Sequence, residues 1–150
     1  NALNTLNIYL SKKIAKDGEG ATKLIECTVK NAYSTKDAET FSKSVINSSL
    51  VKAAMFGSDA NWGRILCALG YCDTDFDPQK VDVSFSSSQG EILVCRNGSS
   101  VNFDEAKAKE ILLQNEIKIL INMNLGLSEA TTWGCDLTYD YVKINGDYRS

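Results

Sequence analysis

Hydrophobic residues recur with two different spacings along the chain, and the change of spacing marks its structural elements. Within residues 2–16, leucines and isoleucine follow one another at three- and four-residue intervals, which predicts a helix with one apolar face. From residue 22 to residue 30 the period falls to two, which predicts a half-buried strand. Strict alternation over residues 116–124 predicts the clearest strand of the chain.

The remaining elements follow from the same two periods and from capping and turn residues. A helix is expected to begin at Ser34, whose hydroxyl can cap the amide of Asp37. Further helices are predicted over residues 50–56, 65–71 and 104–114, a hairpin over 81–95, and a last extended segment over 130–143. Hairpins mixed with helices predict an α+β fold, with a mixed or antiparallel sheet covered by helices on one side, in a single domain spanning 1–150.

Composition narrows the function classes. The net charge of −3 argues against nucleic acid as a partner, because that binding relies on clustered cations. The longest apolar runs are only a few residues, so neither a membrane span nor a secretory signal is predicted. Five scattered cysteines without a Cys-x-x-Cys pair are typical of buried thiols in a reducing compartment, so a cytoplasmic location is expected. A disulfide or a thiol nucleophile remains the alternative.

Metal and histidine chemistry are not expected. The chain has no histidine, which removes the commonest general base and every histidine-containing zinc site. Alternating aspartates over residues 73–77 imitate the start of a calcium loop, but Pro78 stands where the loop needs glycine and Ser84 where it needs glutamate. An acidic surface loop is therefore the better interpretation.

Glu19 is the most distinctive polar residue, since it stands between Gly18 and Gly20 at the junction of the first helix and first strand. Flanking glycines let the backbone turn tightly and approach a ligand closely. Glu19 is then either a substrate ligand or an ordinary exposed loop residue, and these residues alone leave both readings open.

Three long motifs in a fixed order carry a resemblance to a known family. They are DGEGATK (residues 17–23), FGSDANWGRI (56–65) and WGCDLTYDYVKIN (133–145). Together they resemble the ornithine acetyltransferase family of arginine biosynthesis, in its bifunctional glutamate N-acetyltransferase form. The similarity extends through nearly the whole chain, which is expected to be the carboxy-terminal part of the family's β chain.

The resemblance implies an activity and its partners. In that family the precursor cleaves itself, and the new amino-terminal threonine of the β chain takes acetyl from N-acetylornithine and passes it to glutamate. Neither metal nor cofactor is implied, although some members also accept acetyl-CoA. The α chain supplies the oxyanion hole, and the assembly implied is an α2β2 heterotetramer. No catalytic residue is assigned to this chain, so the chain alone is expected to be inactive.

The resemblance also implies three substrate-binding residues, namely Glu19, Asn145 and Ser150. A carboxylate can hold a substrate ammonium, while an amide and a hydroxyl can hold a carboxylate. Trp62 and Arg64 are expected to stabilise the core or an interface. The alternatives to the transferase are a non-catalytic amino-acid-binding or interaction domain, and a related self-processing aminopeptidase.

The terminal segment carries two further expectations. Asp136 and Asp140 are expected to be structural. Gly146 stands where the family usually has alanine, and glycine gives the backbone of this segment more freedom.

Overall fold

A six-stranded mixed sheet organises the protein, whose computed structural model describes residues 1–148. The order of the strands across the sheet is β4-β3-β2-β5-β1-β6. The strands are β1 (Leu24–Ala32), β2 (Asp82–Ser87), β3 (Gly90–Arg96), β4 (Ser99–Ser100), β5 (Glu116–Asn122) and β6 (Ser128–Cys135). The helices are α1 (Ala2–Lys16), α2 (Thr35–Asn47), α3 (Ser49–Phe56), α4 (Trp62–Gly70), α5 (Glu105–Leu112) and α6 (Tyr139–Asp147). The fold class is α+β, as predicted.

The two predicted strands with period-two alternation lie next to each other at the centre of the sheet. β1 and β5 are parallel, with Cys27 opposite Ile119, and this pair makes the sheet mixed rather than antiparallel. β2 continues the sheet antiparallel to β5 and places Phe85 opposite Ile119. All three side chains are fully buried on one face, where they form the core with the helical layer.

Helices α2 and α5 pack against that buried face, α3 and α4 pack on α2, and their apolar stripes match the predicted periodicity. α2 buries Phe41 and Val45, and its amino terminus is capped by Ser34, whose oxygen accepts from the amide of Asp37 at 3.1 Å. Ser48 ends α2 and caps α3, which separates the two helices as the sequence indicated. The prediction of a helical layer over one face is therefore confirmed for these elements.

Helix α1 departs from the predicted one-sided arrangement. Its Lys12 pairs with Glu26, which points away from the buried face of β1, so α1 crosses the opposite face of the sheet. The predicted apolar stripe exists but stays exposed: Leu3, Leu6 and Ile14 are 63%, 52% and 77% accessible. Periodicity identifies a helix with one apolar face without specifying what covers that face.

The prediction of a last extended segment over residues 130–143 is wrong in its second half. β6 ends at Cys135, and residues 139–147 form α6 instead of continuing the strand. The oxygen of Thr138 accepts from the amide of Tyr141 at 3.2 Å and so starts the helix. The sequence predicted an extended chain to residue 143, whereas the cap at Thr138 begins a helix at Tyr139.

Within residues 1–148, no helix has the length and apolar character needed to cross a bilayer.

Candidate functional site

The predicted ligands Glu19 and Asn145 lie together although 126 residues separate them. The Asn145 side-chain amide donates to Glu19 Oε2 at 2.9 Å and also to the carbonyl of Tyr141 at 2.9 Å. Both side chains are exposed, which leaves the carboxylate accessible to a ligand. The third predicted ligand, Ser150, lies outside the described residues.

Both glycines beside Glu19 are required by close approach to the carboxy-terminal segment. A Cβ at Gly18 would lie 2.6 Å from Cys135 Sγ. Gly20 has φ of +64°, and a Cβ there would lie 2.7 Å from the backbone nitrogen of Tyr141. The sequence suggested room for a ligand, whereas these two positions make room for the protein's own β6 and α6.

Asp136 fastens the carboxy-terminal segment to the loop that carries Glu19. Its side chain is 3% exposed and accepts from the backbone amides of Thr22 at 2.8 Å and Lys23 at 3.0 Å, and from the Thr22 hydroxyl. A buried carboxylate is stable in such a place because several donors replace its lost hydration. These bonds account for the structural role expected of Asp136, whereas Asp140 is exposed in the first turn of α6.

Helix α6 is held at its first turn. The hydroxyl of Thr138 donates to the carbonyl of Gly20 at 2.7 Å, so the cap of α6 is also a tie to the Glu19 loop. The ring of Tyr139 stacks edge-on against Phe56, with centroids 5.4 Å apart. These contacts fix the amino-terminal end of the helix that presents Asn145 to Glu19.

A cavity of about 280 Å³ adjoins this contact. Glu19, Lys52, Cys135 and Tyr141 are among the residues that line it. The Lys52 ammonium lies 3.9 Å from Cys135 Sγ. The cavity thus combines a carboxylate with an ammonium, which is a suitable arrangement for a ligand that carries charges of both signs.

Lys23 is a structural residue that sequence reasoning missed. Its ammonium is buried and donates to the carbonyls of Met55 at 2.6 Å and Leu112 at 2.8 Å, and to the hydroxyl of Ser58 at 2.8 Å. Burial lowers the pKa of Lys23 from its ordinary value, while the charge of Asp136 opposes that change. The two carbonyls end α3 and α5, where a cation is favoured.

A signal for Lys23 was present in the sequence. Residue 23 is in phase with the buried positions 25, 27 and 29 of β1, so its side chain points toward the core. A lysine in that phase has to find hydrogen-bond acceptors inside the protein.

The two residues singled out in the middle motif have ordinary structural contacts. Arg64 donates from Nη1 to the carbonyl of Leu50 at 2.9 Å, which joins α4 to α3. Trp62 is half-buried against the core. Both observations agree with the expected stabilising role.

A larger cavity of about 490 Å³ lies between α1 and the ends of β1 and β5, away from Glu19. Its cations are already paired: Lys12 and Lys118 both contact Glu26, at 2.7 and 3.6 Å, and Lys16 contacts Glu116 at 3.2 Å. Size alone therefore does not favour it as a binding site over the smaller cavity beside Glu19.

The fold and site define an α+β protein with a mixed sheet and a polar cavity formed by residues from both ends of the chain. The sequence model of the ArgJ family matches residues 1–150, and the chain belongs to that family. The resemblance found in the three motifs is thereby confirmed.

Individual relatives support the family and show how much of them this chain represents. The arginine biosynthesis bifunctional protein ArgJ 1 of Clostridium acetobutylicum is 60% identical over 149 residues, which are 99% of this chain and 36% of that protein. A glutamate N-acetyltransferase of Methanopyrus kandleri is 45% identical over 149 residues, 99% of this chain and 38% of that protein. The chain thus spans somewhat more than a third of these curated relatives.

A solved structure shares the fold. The crystal structure of the arginine biosynthesis bifunctional protein ArgJ from Bacillus halodurans superimposes with a TM-score of 0.92 at 40% identity. The match covers 98% of this chain and 68% of that chain.

Proposed function

We propose that this chain is the substrate-binding part of an acetyltransferase that moves acetyl from N-acetylornithine to glutamate in arginine biosynthesis. The observation that carries the proposal is the hydrogen bond between Glu19 and Asn145 beside a polar cavity. The names of the relatives agree with it, since they are arginine biosynthesis bifunctional proteins and glutamate N-acetyltransferases.

The pair formed by Glu19 and Asn145 suits the binding of an amino-acid substrate. The Glu19 carboxylate can accept hydrogen bonds from a substrate ammonium. The Asn145 amide nitrogen already donates to Glu19 and to the carbonyl of Tyr141, so its oxygen is the atom left to accept from a further donor. Asn145 therefore orients the carboxylate while Glu19 meets the ligand.

The covalent chemistry is assigned to residues outside this chain. The proposed nucleophile is the amino-terminal threonine of a processed β chain, whose α-amine serves as the base. An α chain would supply donors that stabilise the tetrahedral intermediate, in a cytoplasmic α2β2 assembly. The proposed cycle is ping-pong and uses no metal or cofactor, and acetyl-CoA is a substrate to be tested as an alternative acetyl donor.

Replacing Glu19 by alanine in the complete enzyme tests the proposal. We expect kcat/KM for N-acetylornithine to fall about tenfold or more, because a charge-assisted bond to the substrate is lost. The matched control is Glu129→Ala, since Glu129 is an exposed glutamate on β6 outside the residues that line this cavity. Unchanged kinetics of the Glu19 variant would remove this residue from the binding site.

A further inference from the structure

Lys52 is a half-buried cation whose ammonium has no carboxylate partner among residues 1–148. The polar contact described for its Nζ is the 3.9 Å approach to Cys135 Sγ, and a thiol is a weak acceptor. A partly desolvated ammonium normally has an anionic or strongly accepting neighbour. Lys52 therefore has capacity for an anion in the cavity that it lines.

The ammonium of Lys52 lies close to the loop that carries Glu19. Cys135 Sγ packs against Gly18, where an added Cβ would lie only 2.6 Å away. One side chain thus separates the Lys52 ammonium from the loop that carries Glu19. The carbonyl of Lys52 accepts from the amide of Leu137 at 3.3 Å, which fixes its backbone to the segment between β6 and α6.

A ping-pong transferase of the proposed kind has to accept two side chains of opposite charge in one pocket. The donor, N-acetylornithine, carries an ammonium at the end of its side chain, and the acceptor, glutamate, carries a carboxylate there. Glu19 alone favours the first and repels the second. A cation near Glu19 removes this conflict, because each substrate then meets an opposite charge.

We propose that Lys52 is a specificity residue that binds the side-chain carboxylate of glutamate, while Glu19 binds the side-chain ammonium of the donor. This inference rests on the proposed function, and it adds a residue and a division of labour between two charges. Lys52 touches the acceptor and takes no part in breaking or forming the bond to acetyl.

Lys52→Met in the complete enzyme tests the inference, because methionine keeps most of the unbranched side chain and removes its charge. In a ping-pong cycle, kcat/KM for each substrate reports its own half-reaction. We expect kcat/KM for glutamate to fall about tenfold or more, and kcat/KM for N-acetylornithine to change less than about threefold. Lys52→Arg should retain most of the glutamate activity, and Lys36→Met, at an exposed lysine of α2, should match the unmodified enzyme.

Glutamine supplies a second readout that a merely structural role would not change. It has the shape of glutamate without the charge, so the ratio of kcat/KM for glutamate over glutamine measures recognition of the carboxylate. We expect Lys52→Met to reduce that ratio about tenfold. If folding of Lys52→Met is impaired, Lys52→Gln is measured in the same way.

The possible results separate this inference from the proposed function. Equal loss for donor and acceptor, or no loss for either, overturns the assignment of Lys52 while leaving the transferase intact. An unchanged ratio of glutamate over glutamine overturns it as well. An unmodified complete enzyme that transfers no acetyl between N-acetylornithine and glutamate refutes the proposed function itself, and the Lys52 assignment with it.

Discussion

Asp136 accepts a hydrogen bond from the backbone amide of Lys23 at 3.0 Å, and this bond connects two segments that are 113 residues apart. It joins the end of β6 to the beginning of β1, immediately after the Glu19 loop. The position of Glu19 relative to α6 therefore depends on the buried carboxylate of Asp136, a residue that also lines the cavity beside Glu19.

Asp136→Ala should destabilise the protein by about 2–4 kcal/mol, because the amides of Thr22 and Lys23 lose a charged acceptor inside the fold. Urea unfolding at neutral pH measures the change in the free energy of unfolding. The control is Asp75→Ala in the exposed acidic loop, which should stay within about 0.5 kcal/mol of the unmodified protein. Similar stabilities for the two variants would show that Asp136 does not fasten these segments.

Gly20→Ala and Gly146→Ala form a matched pair, because the first should lower the stability of the protein and the second should raise it. Alanine at position 20 should cost about 1–3 kcal/mol, since its Cβ meets the Tyr141 backbone at a positive φ. Alanine at position 146 lies in α6 with open space around it, so it should stabilise by about 0.5–1 kcal/mol. Thermal unfolding of both variants and of the unmodified protein measures these changes. A Gly20→Ala protein as stable as the unmodified one would contradict the close packing of the loop on α6.

Glu26 should make the stability of the folded protein change with pH in the acid range. Burial by itself raises the pKa of this carboxyl. Hydrogen bonds from Lys12 at 2.7 Å and Trp133 at 2.8 Å, together with the charges of Lys12 and Lys118, outweigh it, so the pKa lies below the ordinary value near 4.5. A folded-state pKa below the unfolded one means that the stabilisation is fully present above about pH 4.5 and is lost as the pH falls through the folded value.

Glu26→Gln should therefore be less stable than the unmodified protein at pH 7, and the difference should shrink as the pH is lowered below about 4.5. Urea unfolding across that range gives the comparison. Glu129→Gln, an exposed glutamate on β6, serves as the control and should show little difference at any pH. If the difference in stability between Glu26→Gln and the unmodified protein stays constant with pH, the charge of Glu26 and its ion pair with Lys12 contribute nothing to stability.

The rate of thiol labelling should distinguish the buried cysteines from the exposed one. Burial raises the pKa of Cys27, which is fully enclosed in the core, and it also raises the pKa of Cys95, where Asp82 adds to the effect and a hydrogen bond with the Gly98 backbone opposes it. In the folded protein, both should react with iodoacetamide about a hundredfold more slowly than the exposed Cys67, and they should react fully after denaturation. Mass spectrometry of digests taken with time measures the three rates, and rapid labelling of Cys27 would contradict its enclosure.

The sequence predicted most elements because their periods are local. The strands β1 and β5, the helices α1 and α2, and the cap at Ser34 all follow from spacing within a short window. The helix α6 was missed because the cap that starts it is a single hydroxyl of Thr138. Lys23 was overlooked as a buried cation although it is in phase with the buried positions of β1.

The sequence by itself determined the family, the α+β class, the alternation that builds the central strands, and the identity of Glu19 and Asn145 as the residues to examine. These conclusions depend on local order along the chain, which a sequence contains in full. Only the tertiary structure decided that Glu19 and Asn145 touch, that the two glycines accommodate α6 and β6, and that Lys52 shares the same cavity. Contacts across more than a hundred residues depend on sheet order, strand register and side-chain packing, and no local period specifies those.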